Sequence, residues 1–264
     1  MIIFGRRIKP RAIPSKVFEL SGMIIRSFRF KHALQCWLSY AKRRPPNANV
    51  CELRSGTKIF LSSNPHDIIT VMVNFCRNEY GLILPGWTVV DVGANIGAFT
   101  VMAMESGASN VIAFEPNREA FETLSKNVQK NGFQQAVRIH QRAVSDSSGQ
   151  TLYIPDRSSP YNKTKRKSES GAANAVSTIS LSDALSDFDH IDLMKLDCEG
   201  AEYQIILDSK IEVFNKIDRI RMELHPSRQH TRAQVVQHLE SNGLSLVHRV
   251  GLIFWFERQQ RLIT

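Results

Sequence analysis

The chain has no run of 18 apolar residues, no C-x-x-C pair and, through its first 46 positions, no acidic residue except Glu19. The first absence excludes a conventional membrane-spanning helix. The second leaves four scattered cysteines, Cys36, Cys51, Cys76 and Cys198, with no disulfide rhythm, so a reducing compartment and a cytoplasmic location are expected. Met1 to Phe4 is too short for a signal-peptide apolar region, and charges follow at once. The third absence concentrates the charge. Residues 1 to 46 hold 11 of the 34 Lys and Arg, for a net of +10, whereas the rest holds 23 basic and 24 acidic residues. The pI of 9.6 therefore describes a tail, and an argument for nucleic-acid binding from a basic body fails.

A dinucleotide-type glycine turn is missing as well. The strand-like run Val89 to Val92 leads into Gly93-Ala94-Asn95-Ile96-Gly97-Ala98, which puts Asn95 where G-x-G-x-x-G needs its middle glycine. The Asn95 side chain would crowd a pyrophosphate. S-adenosylmethionine has no pyrophosphate, and Asp91-x-Gly93-x-Asn95-x-Gly97 suits its methionine end. A second apolar run, Val111 to Phe114, ends in Glu115, 24 residues after Asp91. That is close to the spacing of roughly 20 at which a carboxylate takes up ribose hydroxyls. A glycine turn after one strand and a carboxylate after the next mark a doubly wound α/β domain that binds a nucleoside.

At 264 residues, 42% of them hydrophobic, the chain suits one such domain plus an extension. Three parts are expected: a basic amphipathic extension over 1–46, a hairpin and helix over 47–85, and the cofactor-binding domain over 86–264. In the extension, residues 1 to 14 look extended and Ser15 to Lys42 reads as one amphipathic helix, ended by Arg43, Arg44, Pro45 and Pro46. Such a helix can pack on its own domain, lie on an anionic membrane surface or serve targeting. Val50 to Leu61 reads as a hairpin turning at Ser55-Gly56, and His66 to Cys76 as a helix. Core strands are expected at Thr88 to Val92, Asn110 to Phe114, Val137 to Val144, Ile191 to Leu196 and Arg219 to Leu224, followed by Ser245 to Arg249 and Leu252 to Phe256. Helices should run from Gly97 to Ser106, after Asn117 to Gly132, and from Arg232 to Ser241. The polar stretch Pro155 to Ala173, with the basic run Lys163 to Lys167, reads as a mobile loop, either a plain solvated excursion, or a lid or contact for an acidic substrate.

The segments VVDVGANIGAFT (Val89 to Thr100), VIAFEPN (Val111 to Asn117), AVSDSSG (Ala143 to Gly149), TISLSDAL (Thr178 to Leu185) and IDLMKLDCEGAEYQIIL (Ile191 to Leu207) stand in the order of a known family. The chain resembles the FkbM-type S-adenosylmethionine-dependent methyltransferases, most specifically in the K-x-D-x-E-G-A-E block from Lys195 to Glu202. The resemblance implies a seven-stranded, mostly parallel class I sheet with an antiparallel last strand. It also implies O-methylation of a sugar, glycolipid or small metabolite, and it puts Asp146 near the adenine.

The expected cofactor site comprises Asp91, Gly93, Asn95, Gly97, Glu115 and Asp146, with Asp91 holding either the glycine turn or the methionine amino group. Methyl transfer is an in-line displacement, so the protein aligns the partners and removes the acceptor proton. Asp197, Glu199 and His225, at the carboxyl ends of the fourth and fifth strands beside Glu223, are the candidates for that work. They could also gather magnesium or manganese, although no tight ligand spacing supports this and no metal is expected. Cys198 reads as buried filler. A small-molecule or glycan acceptor is the expected partner, with membrane contact through the basic N-terminus as a second one. Two alternatives stay open: a nucleic-acid or protein methyltransferase, and a non-catalytic membrane-surface adaptor that kept the fold. Against the first, the Asx-Pro-Pro-aromatic turn of adenine N6 enzymes is replaced here by Lys195 to Gly200.

Overall fold

A computed structural model describes residues 2–3, 6–7, 13–155 and 173–259. The chain opens with a two-residue pair, β1 (Ile2–Ile3) against β2 (Arg6–Arg7), and two helices, α1 (Ile13–Ser27) and α2 (Ala33–Lys42). The hairpin β3 (Val50–Glu52) and β4 (Lys58–Phe60) follows, then α3 (Asp67–Met72), which widens into a π-helical turn over Val73–Arg77. The nucleotide-type core alternates strand and helix as β5 (Thr88–Val92), α4 (Ala98–Glu105), β6 (Asn110–Phe114), α5 (Arg118–Lys130) and β7 (Val137–His140). Next come β8 (Ala143–Ser145), β9 (Thr151–Pro155), β10 (Ala173–Ser180) and α6 (Leu181–Ala184). The chain then runs through β11 (Leu193–Leu196), α7 (Glu202–Leu207), α8 (Ile211–Phe214), β12 (Arg219–Glu223), α9 (Arg232–Ser241), β13 (Leu244–Val250) and β14 (Ile253–Arg258).

The seven-stranded sheet has the order β13-β14-β12-β11-β5-β6-β7. β7, β6, β5, β11 and β12 are parallel, and β14 is antiparallel to both its neighbours. This is the doubly wound α/β sheet with an antiparallel last strand that the sequence pointed to. The order reverses between β5 and β11, and the crevice above that reversal is where such sheets bind ligands. Burial on both faces explains the nearly continuous apolar runs in the central strands. Val89, Val111 and Leu193 pack on one face with α4 and the N-terminal helices, whereas Val90, Ile112 and Met194 pack on the other with α7 and α9. No helix among the described residues is long and apolar enough to cross a membrane.

Three expectations are corrected. The helix expected from Ser15 to Lys42 is broken between Ser27 and Ala33. There the fully buried Phe30 bridges to Leu53, and the Lys31 N–H donates to the Glu52 carbonyl at 2.8 Å, so edge pairing with the hairpin outweighs helical continuity. The strand expected from Val137 to Val144 is two. β7 stays in the main sheet, while β8 turns away to pair in parallel with β10 in a three-stranded sheet, β8-β10-β9. β10 itself was not foreseen, because it follows the polar stretch Pro155 to Ala173, and residues 156–172 of that stretch, with the basic run, lie outside the described residues. The Val50 to Leu61 hairpin forms as expected. Asn117 caps α5 by accepting from the Ala120 N–H, and α9 ends before Asn242-Gly243.

Candidate active site

At the end of β5 the chain bends through Gly93, Asn95 and Gly97, all with positive φ. Gly93 has φ +78°, and a Cβ there would stand 1.9 Å from the Asp197 carbonyl oxygen at the end of β11. The two strand ends are therefore pressed together at the switch point, and only a glycine backbone fits. Glu115, at the end of β6, is 7% exposed. Its carboxylate accepts from the Asn95 N–H and the Asn117 N–H, each at 2.7 Å. Burial raises its pKa to about 7 despite those two donors.

Beneath the bend lies a buried ion pair. Lys195 stands directly across the β11–β5 ladder from Asp91. Its ammonium donates to Asp91 Oδ1 at 3.0 Å and to the Gly93 carbonyl at 2.6 Å. Asp91 also accepts from the Thr100 hydroxyl at 2.7 Å. Burial disfavours the lysine charge, but Asp91 and Asp197 outweigh it, and the Lys195 pKa lies above its usual value. Asp91 is fully buried, and Lys195 links it to the Gly93 carbonyl of the glycine turn.

The K-x-D-x-E-G-A-E block now has a physical reading. Asp197 accepts from the Tyr80 hydroxyl at 2.9 Å. Glu199 and Gly200 turn the chain with positive φ. Glu202, fully buried, accepts from the Cys198 and Gly200 N–H groups and so staples the turn. It also meets His225 Nδ1 at 3.0 Å, while His225 Nε2 lies 3.3 Å from Glu199 and 3.7 Å from Glu223. With carboxylates at both nitrogens, His225 is pushed up to about 9 although burial opposes its charge. It is therefore an imidazolium at neutral pH. Glu199 and Glu223 are each raised to about 7, first by burial and then by the Asp197 charge.

These groups surround a cavity of about 490 Å³. Gly93, Asn95, Glu115, Asp197, Glu199 and Glu223 line it, together with Tyr80, Asn74 and Arg77 from the α3 side and Val144, Ser145, Leu152 and Ile154 from the small sheet. Asp91, Gly97, Asp146 and His225 are not in its lining. The Asp146 carboxylate instead accepts from the Ser145 and Ser147 hydroxyls. Asp197, Glu223 and His225 do place one ligand atom each within 4.8 Å of one another, a spacing that could hold a cation. A cation held there would displace the His225 proton. Tyr80 escaped the sequence reading because it lies 117 residues from its partner and in no motif. Its only signal was an aromatic ahead of the Leu84-Pro85-Gly86 turn.

The Methyltransferase FkbM domain matches residues 91–246, more than half of the chain. The chain belongs to the FkbM methyltransferase family. It is similar to the 31-O-demethyl-FK506 methyltransferase FkbM of Streptomyces tacrolimicus, at 26% identity over 80% of this chain and 91% of that one. Methyltransferase sdnD of Sordaria araneosa is 27% identical over 60% of this chain and 73% of its own length. Among solved structures, a ribosomal-protein methylase from Lactobacillus delbrueckii subsp. bulgaricus aligns at 18% identity and a TM-score of 0.43, covering 73% of this chain and 80% of that one. The magnesium protoporphyrin IX methyltransferase of Synechocystis, with bound SAM, aligns at 13% identity and a TM-score of 0.37, covering 66% and 71%. In this FkbM-family protein the domain match takes in both Asp91 and His225, so the whole carboxylate cluster lies within the family's segment.

Proposed function

We propose that this chain uses S-adenosylmethionine to methylate a hydroxyl group on a sugar, glycolipid or small metabolite. The observation that carries the reading is Glu115: a buried carboxylate pinned by two backbone N–H groups, facing a cavity at the switch point beside the Asn95 bend. Each of its oxygens has lone pairs beyond those two bonds, enough to accept from two ribose hydroxyls. Val144, Leu152 and Ile154 offer an apolar wall for the base, and Asn95 and Gly93 leave room for a methionine chain. The carboxylates of Asp197, Glu199 and Glu223 suit a cationic centre. When bound, the cofactor supplies an electrophilic methyl group on sulfonium.

The protein's own part is orientation and proton removal. Asp197 is fixed by Tyr80, and Glu199 by its 3.3 Å contact with His225. Glu223, whose contact with His225 is longer at 3.7 Å, keeps more of its lone pairs for a ligand. We assign it the acceptor proton: the hydroxyl O–H bond would break and its proton would pass to the Glu223 carboxylate, while its oxygen would take the methyl and the donor sulfur would keep the electron pair of the broken S–C bond, leaving as a neutral thioether. His225 stays protonated and holds the surrounding negative charge together. A pKa near the working pH is what a general base needs.

Two results test this. Glu115→Gln is expected to weaken S-adenosylmethionine binding about 10- to 100-fold, the loss of a charged hydrogen bond, as read by calorimetry. Heat with NAD and none with S-adenosylmethionine would end the reading. Because a base must be deprotonated, kcat/KM is expected to fall as pH drops through about 7, the pKa of Glu223. Glu223→Gln should remove most of the activity and flatten that limb. A profile unchanged in this variant would take Glu223 out of the mechanism.

A further inference from the structure

The outward sides of α1 and α2 carry large apolar side chains in open solvent. Ile24 and Ile25 lie on the last turn of α1 and Phe28 in the turn just after it, and Leu34 and Leu38 stand one helical turn apart on α2. Ile25 is 69% exposed, Phe28 60% and Leu34 73%. The opposite sides are committed to the fold. Met23, Phe30 and Cys36 are buried, Arg26 Nε donates to the Cys76 carbonyl at 2.5 Å, and Trp37 Nε1 donates to the Ser27 hydroxyl at 3.0 Å. α1 packs on the Val73–Arg77 turn and α2 on α3, so both rest on one continuous stretch and turn their apolar faces away from it.

Exposed cations accompany these helices: Lys42, Arg43 and Arg44 at the end of α2, and between the helices Arg29, whose guanidinium lies over the Phe75 ring, and Lys31, which pairs with Glu52 at 3.2 Å. Arg43 closes α2 in the left-handed conformation at φ 50°. The segment's net charge of +10, against −1 for the rest of the chain, opposes pairing of this face with its own copy. At 15 and 10 residues the helices measure about 22 and 15 Å, short of the ~30 Å hydrocarbon core. They can lie on a bilayer and cannot span it. A short apolar stripe edged by arginine and lysine is the pattern that binds an anionic lipid surface.

We infer that α1 and α2 form a docking face for an anionic bilayer, with Ile24, Ile25, Phe28, Leu34 and Leu38 entering the acyl boundary and the accompanying Arg and Lys meeting the headgroups. The stretch that carries these helices also forms one wall of the cavity, through Thr70 and Asn74. Docking therefore sets the cavity close behind the lipid surface.

The test is flotation of the full chain with phosphatidylcholine vesicles, with and without phosphatidylserine, at low and high salt. The chain should float with the phosphatidylserine vesicles alone and be released by salt. I25E/F28E and L34E/L38E should each abolish flotation at an unchanged melting temperature. R43Q/R44Q should weaken it roughly thirtyfold, the effect of two charges at such a surface. No flotation with phosphatidylserine at low salt overturns the inference. So does equal flotation on neutral vesicles, or flotation retained in both glutamate pairs. A dimer in lipid-free solution that I25E/F28E dissociates would show instead that a second copy covers the face.

Discussion

Replacing Gly93 by alanine is expected to lower the melting temperature by roughly 4–20 °C. The added Cβ would stand 1.9 Å from a backbone oxygen, the Asp197 carbonyl, which cannot rotate aside as a flexible side chain can. Overpacking costs about 1–3 kcal/mol, and a left-handed backbone at a residue with a Cβ adds about 1–2. For a domain of this size each kcal/mol moves the midpoint by about 2–4 °C. Activity should fall further than stability alone explains, since relief of the clash pushes Asp197 and the following turn out of place. Scanning calorimetry and steady-state turnover check both parts. A melting shift under about 2 °C would mean that the two strand ends are not in contact as described.

Lys195→Met should destabilise by about 3–5 kcal/mol, because it leaves the Asp91 carboxylate buried without its counter-charge. Asp91 is fully buried, and its remaining partner in hand is the Thr100 hydroxyl. The lysine also ties the Gly93 carbonyl, so the glycine bend loosens with it. The double variant Asp91→Asn/Lys195→Met should regain much of the loss, since no uncompensated charge is then left inside. Urea unfolding of the wild type, both single variants and the double closes the cycle. If the loss in the double variant equals the sum of the two single losses, the pair is not coupled and this account of the bend is wrong.

Local signals carried much of this structure. Alternation of apolar runs with glycine turns placed the five parallel strands, and the Asn117 cap and the Asn242-Gly243 stop bounded their helices. The place of Glu115, at the end of the second strand and on the cavity wall, was legible from its distance past the first strand. What failed to show was nonlocal. Nothing near Phe30 signals that it will be drawn into a bridge with Leu53 and split a helix. Tyr80 meets Asp197 only once β11 lies beside β5. His225 stands in sequence as one candidate for work on the acceptor, and nothing near it shows that Glu199, Glu202 and Glu223, from two segments, will gather around its ring. The serines on either side of Asp146 donate to its carboxylate, a local pairing that the Ser-Asp-Ser run does suggest.

The insertion of β14 between β12 and β13 bears on how the sheet is completed during synthesis. β13 emerges first yet finds its only ladder on β14. Until β14 is in place, β12 keeps an open edge and β13 has no strand beside it among those described. A single ribbon laid between the two therefore closes both gaps together.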